Sequence, residues 1–199
     1  MNIDTQYPTR TGLITASRCA DLMTRGRGGQ EFGETAKTYA LELALKRMGY
    51  NPDSVSTWQM EWGNEHEPEA REIYENNREI AVMLPGFTVD PTDDQVGCIP
   101  DGMVEPEGLL EIKCPQWKAH VDYMLNGPEK RYWQQMQFQM MVTGAQWCDF
   151  MTYHPDFPIE IRAKVHRIER DEDYIQLIRD RIEIFKIVVD EIQTKLLTR

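Results

Sequence analysis

Apolar residues recur at every third or fourth position in five stretches of the chain, which is the spacing of an amphipathic helix. Thr15 offers a typical start for the first helix, and Gly49 offers a typical stop after the second. The closing stretch is the longest and keeps this spacing throughout. The pattern predicts helices over residues 15–23, 34–48, 60–76, 128–143 and 171–197.

Short segments of apolar and β-branched residues fill the region between the third and fourth helices and return after the fourth. Alternation of apolar and polar side chains is typical of strands. The pattern predicts strands over residues 80–84, 86–89, 96–99, 102–104, 109–113, 147–153 and 159–168. Helices, a central sheet, a helix, further strands and a closing helix together predict a three-layer α/β or α+β core.

The composition fits one folded domain over residues 1–199. Hydrophobic residues make up 41% of the chain, enough for a sizeable core. No apolar run approaches the roughly 20 residues of a membrane helix, and the N-terminus lacks a secretory pattern. We therefore expect a cytoplasmic protein with no membrane partner. The four cysteines form no CxxC pair, so we expect reduced thiols and no zinc ribbon.

The charge balance is acidic, with 33 Asp and Glu against 22 Lys and Arg and a net charge of −11. Proteins that bind nucleic acid without regard to sequence are usually basic. A DNA enzyme of this composition would therefore need its basic residues concentrated in one groove, where they could focus a local positive potential.

The pair of acids Asp101 and Glu111, followed by Lys113, is the most informative pattern in the chain. Asp101 lies in a Gly/Pro-rich turn, 98–102. If that turn joins two strands, both carboxylates meet at one end of a sheet. Because side chains alternate along a strand, Glu111 and Lys113 share one face, with Leu110 opposite. Two acids and a lysine at one point form a site for a hard cation and an attacking water, as in phosphodiester cleavage. The alternative is an ordinary charged surface hairpin.

Three further patterns are weaker. A third carboxylate for the cation can come from the acidic third helix, where spacing leaves Glu61, Glu65, Glu67, Glu69 and Glu72 equally open. Arg10, Thr15 and Ser17 would form an anion pocket at a helix start, or else a plain cap and a surface arginine. The amides of Gln135 and Gln139 share a helical face and could order a water or a phosphate, or simply face solvent.

Together these motifs resemble a known family. They are Arg-x-Gly-x-Ile-Thr-Ala-Ser from Arg10 to Ser17, Trp-Gly-x-x-x-Glu from Trp62 to Glu67, Pro-Asp-Gly from Pro100, Glu-Ile-Lys-Cys-Pro from Glu111 and the pair Gln135 and Gln137. In this order they resemble the lambda exonuclease family of YqaJ-type viral recombinases, within the PD-(D/E)xK nucleases. The resemblance implies a restriction-endonuclease-like α/β (α+β) core with a central mixed β-sheet flanked by helices.

The resemblance also implies a role for each matching residue. Asp101, Glu111 and the main-chain carbonyl of Ile112 would bind two Mg²⁺ ions, with Mn²⁺ as a substitute, and Glu67 would complete the metal shell. Lys113 would polarise the attacking water, and Gln135 would help to hold it. The implied activity is Mg²⁺-dependent 5′-to-3′ hydrolysis of one strand of linear double-stranded DNA to mononucleotides, leaving 3′ overhangs.

DNA contacts and partners follow from the same resemblance. Arg10 and Ser17 would hold the 5′-phosphate, while Arg27 and Met60 would wedge into the duplex end. Lambda exonuclease has an arginine a few residues after its corresponding Lys-Cys-Pro motif that supports the phosphate pocket. Here Ala119 takes that place, and Lys118 before it would contact the phosphate as a point charge, without the two-point contact of an arginine. A phage or prophage origin, a homotrimer around DNA and a single-strand-annealing partner are also implied. The alternatives are an endonuclease of the same superfamily and a non-catalytic scaffold that binds DNA ends.

Overall fold

The computed structural model of the chain describes residues 11–50 and 58–198. In these ranges the α-helices are α1 (Cys19–Leu22), α2 (Glu34–Arg47), α3 (Trp58–Arg78), α4 (Trp117–Asn126), α5 (Lys130–Thr143) and α6 (Glu172–Leu197). The strands are β1 (Ile14–Thr15), β2 (Val82–Met83), β3 (Thr88–Asp90), β4 (Asp93–Cys98), β5 (Gly102–Val104), β6 (Gly108–Lys113), β7 (Trp147–Tyr153) and β8 (Ala163–Glu169). Short 3-10 turns cover Ala16–Arg18 and Arg27–Gly29.

The four longer helices predicted from periodicity are confirmed as α2, α3, α5 and α6. Their ends follow ordinary capping chemistry. The Asp171 side chain accepts the backbone N–H of Tyr174 at 2.9 Å and so caps α6. Gly144 ends α5 with φ of 78°, in the left-handed conformation that glycine adopts at low cost. Local signals therefore set the limits of these helices well.

The region around the first predicted helix differs from expectation. Thr15 is extended and makes no capping bond with its side chain. It belongs instead to β1, pairs with Gly97 of β4, and donates its N–H to the Tyr39 hydroxyl at 3.1 Å. Only the 3-10 turn and the four residues of α1 follow. Long-range strand pairing has overridden the local helical pattern here.

Helix α4 was not predicted from the sequence. Its buried positions are His120 and Tyr123, two residues with polar groups, so the apolar periodicity is weak. Conversely, the last predicted strand begins four residues late, at Ala163, because 159–162 forms a turn and a bend.

The strands form two mixed sheets rather than one. The larger sheet has the order β2-β5-β6-β7-β8, with β6 and β7 parallel and the other pairs antiparallel. The smaller sheet has the order β1-β4-β3. The chain passes from the small sheet to the large one through Ile99, Pro100 and Asp101. Proline has no N–H with which to continue a ladder, and β4 ends two residues before it.

Helices cover both faces of the larger sheet, so the mixed α/β layered architecture predicted from the sequence is confirmed. Ala70 and Tyr74 of α3 pack with Leu110 and Ile112 of β6 on one face. The other face packs on α4 and α5, through residues that include Leu109, Tyr123, Met136, Met140 and Phe150. A third core cluster joins the small sheet to α1, α2, α5 and α6.

The structure bears on two expectations from the composition, on the cysteines and on membrane helices. All four cysteines are free, and three of them are buried: Cys19, Cys98 and Cys148. Among the helices in the described ranges, none combines the length and apolar character needed to span a bilayer.

Candidate active site

A hairpin brings Asp101 to Glu111, although by a different turn from the one predicted. Residues 98–102 connect the two sheets, and the turn that joins β5 to β6 lies at 105–107. In this hairpin Gly102 stands opposite Leu110. Asp101 is therefore one residue beyond the last pair, where its Oδ2 accepts the N–H of Ile112 at 2.7 Å. Because a strand residue presents its N–H and C=O on the same side, backbone geometry directs the Ile112 carbonyl to the same edge of β6 as this N–H.

The alternation predicted along β6 is observed. Leu110 and Ile112 pack in the apolar layer under α3. Glu111 points to the opposite side, is fully buried, and forms an ion pair with Lys113. Burial of a carboxylate away from solvent is costly unless opposite charge and hydrogen bonds compensate it. The surrounding side chains supply both.

Helix α5 provides those hydrogen bonds. Gln135 donates its amide to Glu111 Oε1 at 2.6 Å, and Gln139 donates to Oε2 at 2.7 Å. The two glutamines are four residues apart and so lie on one helical face, as predicted. They hold the carboxylate itself rather than facing solvent. Gln139 is fully buried, and its own carbonyl oxygen has no hydrogen-bond partner within the described part of the chain.

The electrostatics of the site favour a bound cation. Burial raises the pKa of Asp101 to about 8, and repulsion from the Glu111 carboxylate adds to this; Lys113 and the Ile112 N–H oppose it. Burial alone lowers the pKa of Lys113, but the carboxylates of Glu111 and Asp101 raise it above its ordinary value. Lys113 therefore stays charged, and a divalent ion would stabilise the ionised form of Asp101 that burial disfavours.

These groups open into a cavity of about 630 Å³ between α3, α4 and α5. Asp101, Ile112 and Lys113 line one part of it, and α3 contributes Glu67 and Met60. Of the five acids left open by spacing, Glu67 is the one that lines this cavity. Its carboxylate forms an ion pair with Arg71 at 2.8 Å.

Few oxygen ligands are available here for a cation. Within residues 11–50 and 58–198, no three His, Cys, Asp or Glu side chains stand close enough to hold an ion by themselves. Asp101, Glu111 and the Ile112 carbonyl are the groups at this end of β6 that could hold a divalent ion, and Glu67 lines the same cavity as Asp101. Mg²⁺ is commonly bound in this way, by one or two carboxylates together with water and substrate phosphate.

Ser17 lies beside this centre. It is exposed and lines a cavity of about 350 Å³ with Arg18 and Lys46. It also lines a small cavity of about 50 Å³ together with Gln135 and Gln139, the two residues that hold Glu111. Arg10, predicted to share an anion pocket with Ser17, lies outside the described residues.

Comparison with known proteins identifies the family. A profile of the YqaJ-like viral recombinase domain matches residues 7–146. The chain belongs to the YqaJ-like viral recombinase family. Its fold matches the crystal structure of an alkaline exonuclease, LHK-Exo, from Laribacter hongkongensis, with TM-score 0.86 and 35% identity over 94% of this chain and 92% of that one. The same protein in complex with dAMP matches equally well.

A second solved structure supports the fold alone. The phage related exonuclease from Haemophilus somnus 129PT has TM-score 0.80 and 17% identity, covering 92% of this chain and 96% of that one. No curated protein matches the chain. The resemblance to the lambda exonuclease family inferred from the motifs is thus confirmed, together with the fold.

The remaining predicted residues of this YqaJ-like protein lie at different distances from the centre. Met60 is 57% exposed on the rim of the 630 Å³ cavity. Arg27 is exposed in the 3-10 turn between α1 and α2. Lys118 is exposed on α4, with its Nζ 5.4 Å from the ring centroid of Trp117, and it does not line the cavity, whereas Ala119 does.

One residue of α5 was missed as a site residue, and another has a different role from the one predicted. Gln139 was predicted to order a water or a phosphate but holds the Glu111 carboxylate, whereas Arg131, which was not singled out, lines the cavity. Residues 131, 135 and 139 are four apart and occupy one helical face, so extending the face from Gln135 by one turn toward the N-terminus would have found Arg131.

A larger cavity, of about 720 Å³, lies between the β3–β4 hairpin and α6. Both cations of its lining are paired with acids: Arg179 binds Asp90 at 3.2 Å, and Lys186 binds Asp93. None of the predicted site residues lines it. The chemistry is therefore assigned to the smaller cavity.

Proposed function

We propose that this protein is a Mg²⁺-dependent 5′-to-3′ exonuclease that hydrolyses one strand of linear double-stranded DNA to mononucleotides and leaves a 3′ overhang. The observation that carries the proposal is that Asp101 and Lys113 line one open cavity, with the buried Glu111 directly behind them in an ion pair with Lys113. Membership of the YqaJ-like viral recombinase family supports a nuclease role in recombination. The relative crystallised with dAMP supports a mononucleotide product.

The geometry divides the work among the side chains. Mg²⁺ held by Asp101, Glu111 and the Ile112 carbonyl would activate water and stabilise the charge that develops on the phosphate. Lys113 pairs with Glu111 and its side chain lines the cavity, so it can orient the attacking water and offset negative charge. Gln135 and Gln139 donate to the two oxygens of Glu111, which fixes the position of the carboxylate.

The 5′ polarity rests on Ser17. A terminal phosphate bound at Ser17 and Arg10 would lie next to Gln135 and Gln139, and thus next to Glu111. A short separation between the end phosphate and the cleaved bond suits release of single nucleotides. Arg27 and Met60 would separate the strands at the duplex end, with Met60 on the cavity rim.

The assembly and the setting belong to the same proposal. A homotrimer closed around DNA would reconcile an acidic exterior with a basic channel, given the net charge of −11. The 3′ overhang would pass to a single-strand-annealing protein, and the enzyme would act in the cytoplasm of a bacterial host as a phage or prophage product.

Labelled DNA tests the proposal directly. The protein is incubated with Mg²⁺ and linear duplexes labelled at the 5′ or the 3′ end of one 5′-phosphorylated strand, next to a covalently closed circle. Early release of the 5′ label as a mononucleotide, with the circle intact and the reaction blocked by EDTA, is the expected result. Early release of the 3′ label would show that degradation starts at the 3′ end instead.

The alternatives give different outcomes in the same assay. A cut circle would assign the protein to the endonucleases of the superfamily. A duplex that is bound but never cleaved would indicate a scaffold for DNA ends. A 5′-hydroxyl duplex is run beside the phosphorylated one. The difference in cleavage rate measures separately the contribution of the end phosphate that Ser17 and Arg10 are proposed to bind.

A further inference from the structure

Arg131 is a cation on the wall of the catalytic cavity that the proposed mechanism does not use. It lines the same 630 Å³ cavity as Asp101 and Lys113, one helical turn before Gln135. Its side chain is 57% exposed, so its guanidinium is open to a ligand entering the cavity. Arginine stays charged at any working pH and can bind a phosphate through two parallel N–H groups.

Tyr132 ties Arg131 to Lys113. The guanidinium carbon of Arg131 is 4.6 Å from the centroid of the Tyr132 ring, and Lys113 Nζ is 5.1 Å from the same centroid. The two cations therefore lie no further apart than the sum of these distances. Phosphates follow one another along a strand at about 3.4 Å of helix axis, so this span covers at most a few phosphates.

Arg131 already forms an ion pair with Glu129, and a phosphate can replace that carboxylate at little cost. Arg131 Nε lies 2.9 Å from Glu129 Oε2, with both side chains about half exposed. Exposed pairs of this kind contribute little free energy. Glu129 keeps a second anchor, because its Oε1 accepts the Tyr123 hydroxyl at 2.6 Å. Glu129 can thus hold the guanidinium toward the cavity and release it to a phosphate.

Neighbouring positions on α4 do not offer the same contact. Ala119 lines the cavity but has no charge, and Lys118 lies over Trp117 outside the cavity lining. We propose that Arg131 binds a backbone phosphate of the DNA strand being degraded, beside the bond to be cleaved. This inference rests on the proposed function and adds a residue that grips the substrate within the same cavity.

Steady-state kinetics on linear duplex DNA give the first test. Arg131→Ala should raise KM about ten-fold and change kcat less than about three-fold, because the contact is exposed and serves binding more than the chemical step. Arg131→Lys should fall between, since an ammonium keeps the charge and loses the two-point contact. Glu129→Gln should lower KM, because it removes the competing carboxylate.

The salt dependence of DNA binding without divalent ions gives the second test. Loss of one phosphate contact should lower the slope of log Kd against log salt by about one. Lys130→Ala is the matched control, with the same loss of charge one residue away on an exposed side chain outside the cavity lining. It should leave KM within about two-fold and the slope unchanged. Thermal melting confirms that each variant is folded.

The outcomes separate this inference from the proposed function. If the wild-type protein degrades DNA and Arg131→Ala matches it in both KM and slope, the inference is wrong and the nuclease assignment stands. Equal changes in KM and slope for Arg131→Ala and Lys130→Ala would also overturn it. So would changes confined to Lys118→Ala. If the wild-type protein never cleaves DNA, the proposed function fails, and the binding slope still tests the phosphate contact.

Discussion

Gln139 donates its side-chain amide to Glu111 Oε2 at 2.7 Å, and both residues are fully buried. The other oxygen of the same carboxylate is shared by Gln135 and Lys113. Glu111 is thus held on both oxygens, directly behind Lys113 on the cavity wall. A rigidly held carboxylate can place a cation and a water without reorganising during the reaction, which is how preorganised sites reduce an activation barrier.

Gln139→Leu should reduce kcat about 10- to 100-fold with little change in KM, because an unpaired Glu111 oxygen loses its fixed position. Leaving that buried oxygen unsatisfied should also cost about 1–3 kcal/mol in the free energy of unfolding. Gln137→Leu is the matched control. Gln137 is equally buried on α5 but bonds the Glu169 carbonyl and the Asp171 N–H, away from Glu111. Chemical denaturation should show similar destabilisation in the two variants. Rate assays should show a reduced kcat only in Gln139→Leu.

Asp101→Asn and Lys113→Ala should each abolish Mg²⁺-dependent cleavage while the protein stays folded. The amide introduced by Asp101→Asn would keep an oxygen for the Ile112 N–H but lose the negative charge that a cation requires. Cleavage of labelled linear duplex, normalised by circular dichroism, measures both. Near-wild-type activity in either variant would show that the site has been assigned to the wrong residues.

Affinity for Mg²⁺ should increase with pH and level off above about pH 8. Burial raises the pKa of Asp101 to about 8, so below that pH a proton must leave before a cation can bind. One proton released per ion corresponds to about ten-fold in affinity for each pH unit below 8. Calorimetric titration of Mg²⁺ into metal-free protein from pH 6 to 9 measures this, with Asp101→Asn as the control that should lack the dependence. A flat profile in the wild-type protein would contradict it.

Glu67→Gln should weaken the apparent affinity for Mg²⁺ and raise the half-saturating Mg²⁺ concentration for cleavage about ten-fold. The reason is that one charged oxygen ligand is lost from the cavity wall. Glu65→Gln provides the comparison, since Glu65 lies on the same helix, is exposed, and does not line the cavity. Titration of Mg²⁺ in the cleavage assay distinguishes them. Identical curves for both variants would remove Glu67 from the metal shell.

The sequence by itself determined the local chemistry of this protein. Periodicity set the four longer helices, and period two placed Glu111 and Lys113 on one face of a strand with Leu110 opposite, because side-chain direction follows directly from backbone geometry. The motifs in their order were enough to identify the family, and the type of acid and base at 101, 111 and 113 indicated the reaction.

Only the tertiary structure decided which of these residues meet. It divided the strands between two sheets, formed α4 with His120 and Tyr123 buried, and placed Glu67, which the resemblance had already singled out from five acids, on the cavity wall. It also favoured Arg131 over Lys118 as the cation that lines the cavity. These outcomes depend on strand register and helix packing between segments far apart in the chain, and spacing along the sequence carries no information about them.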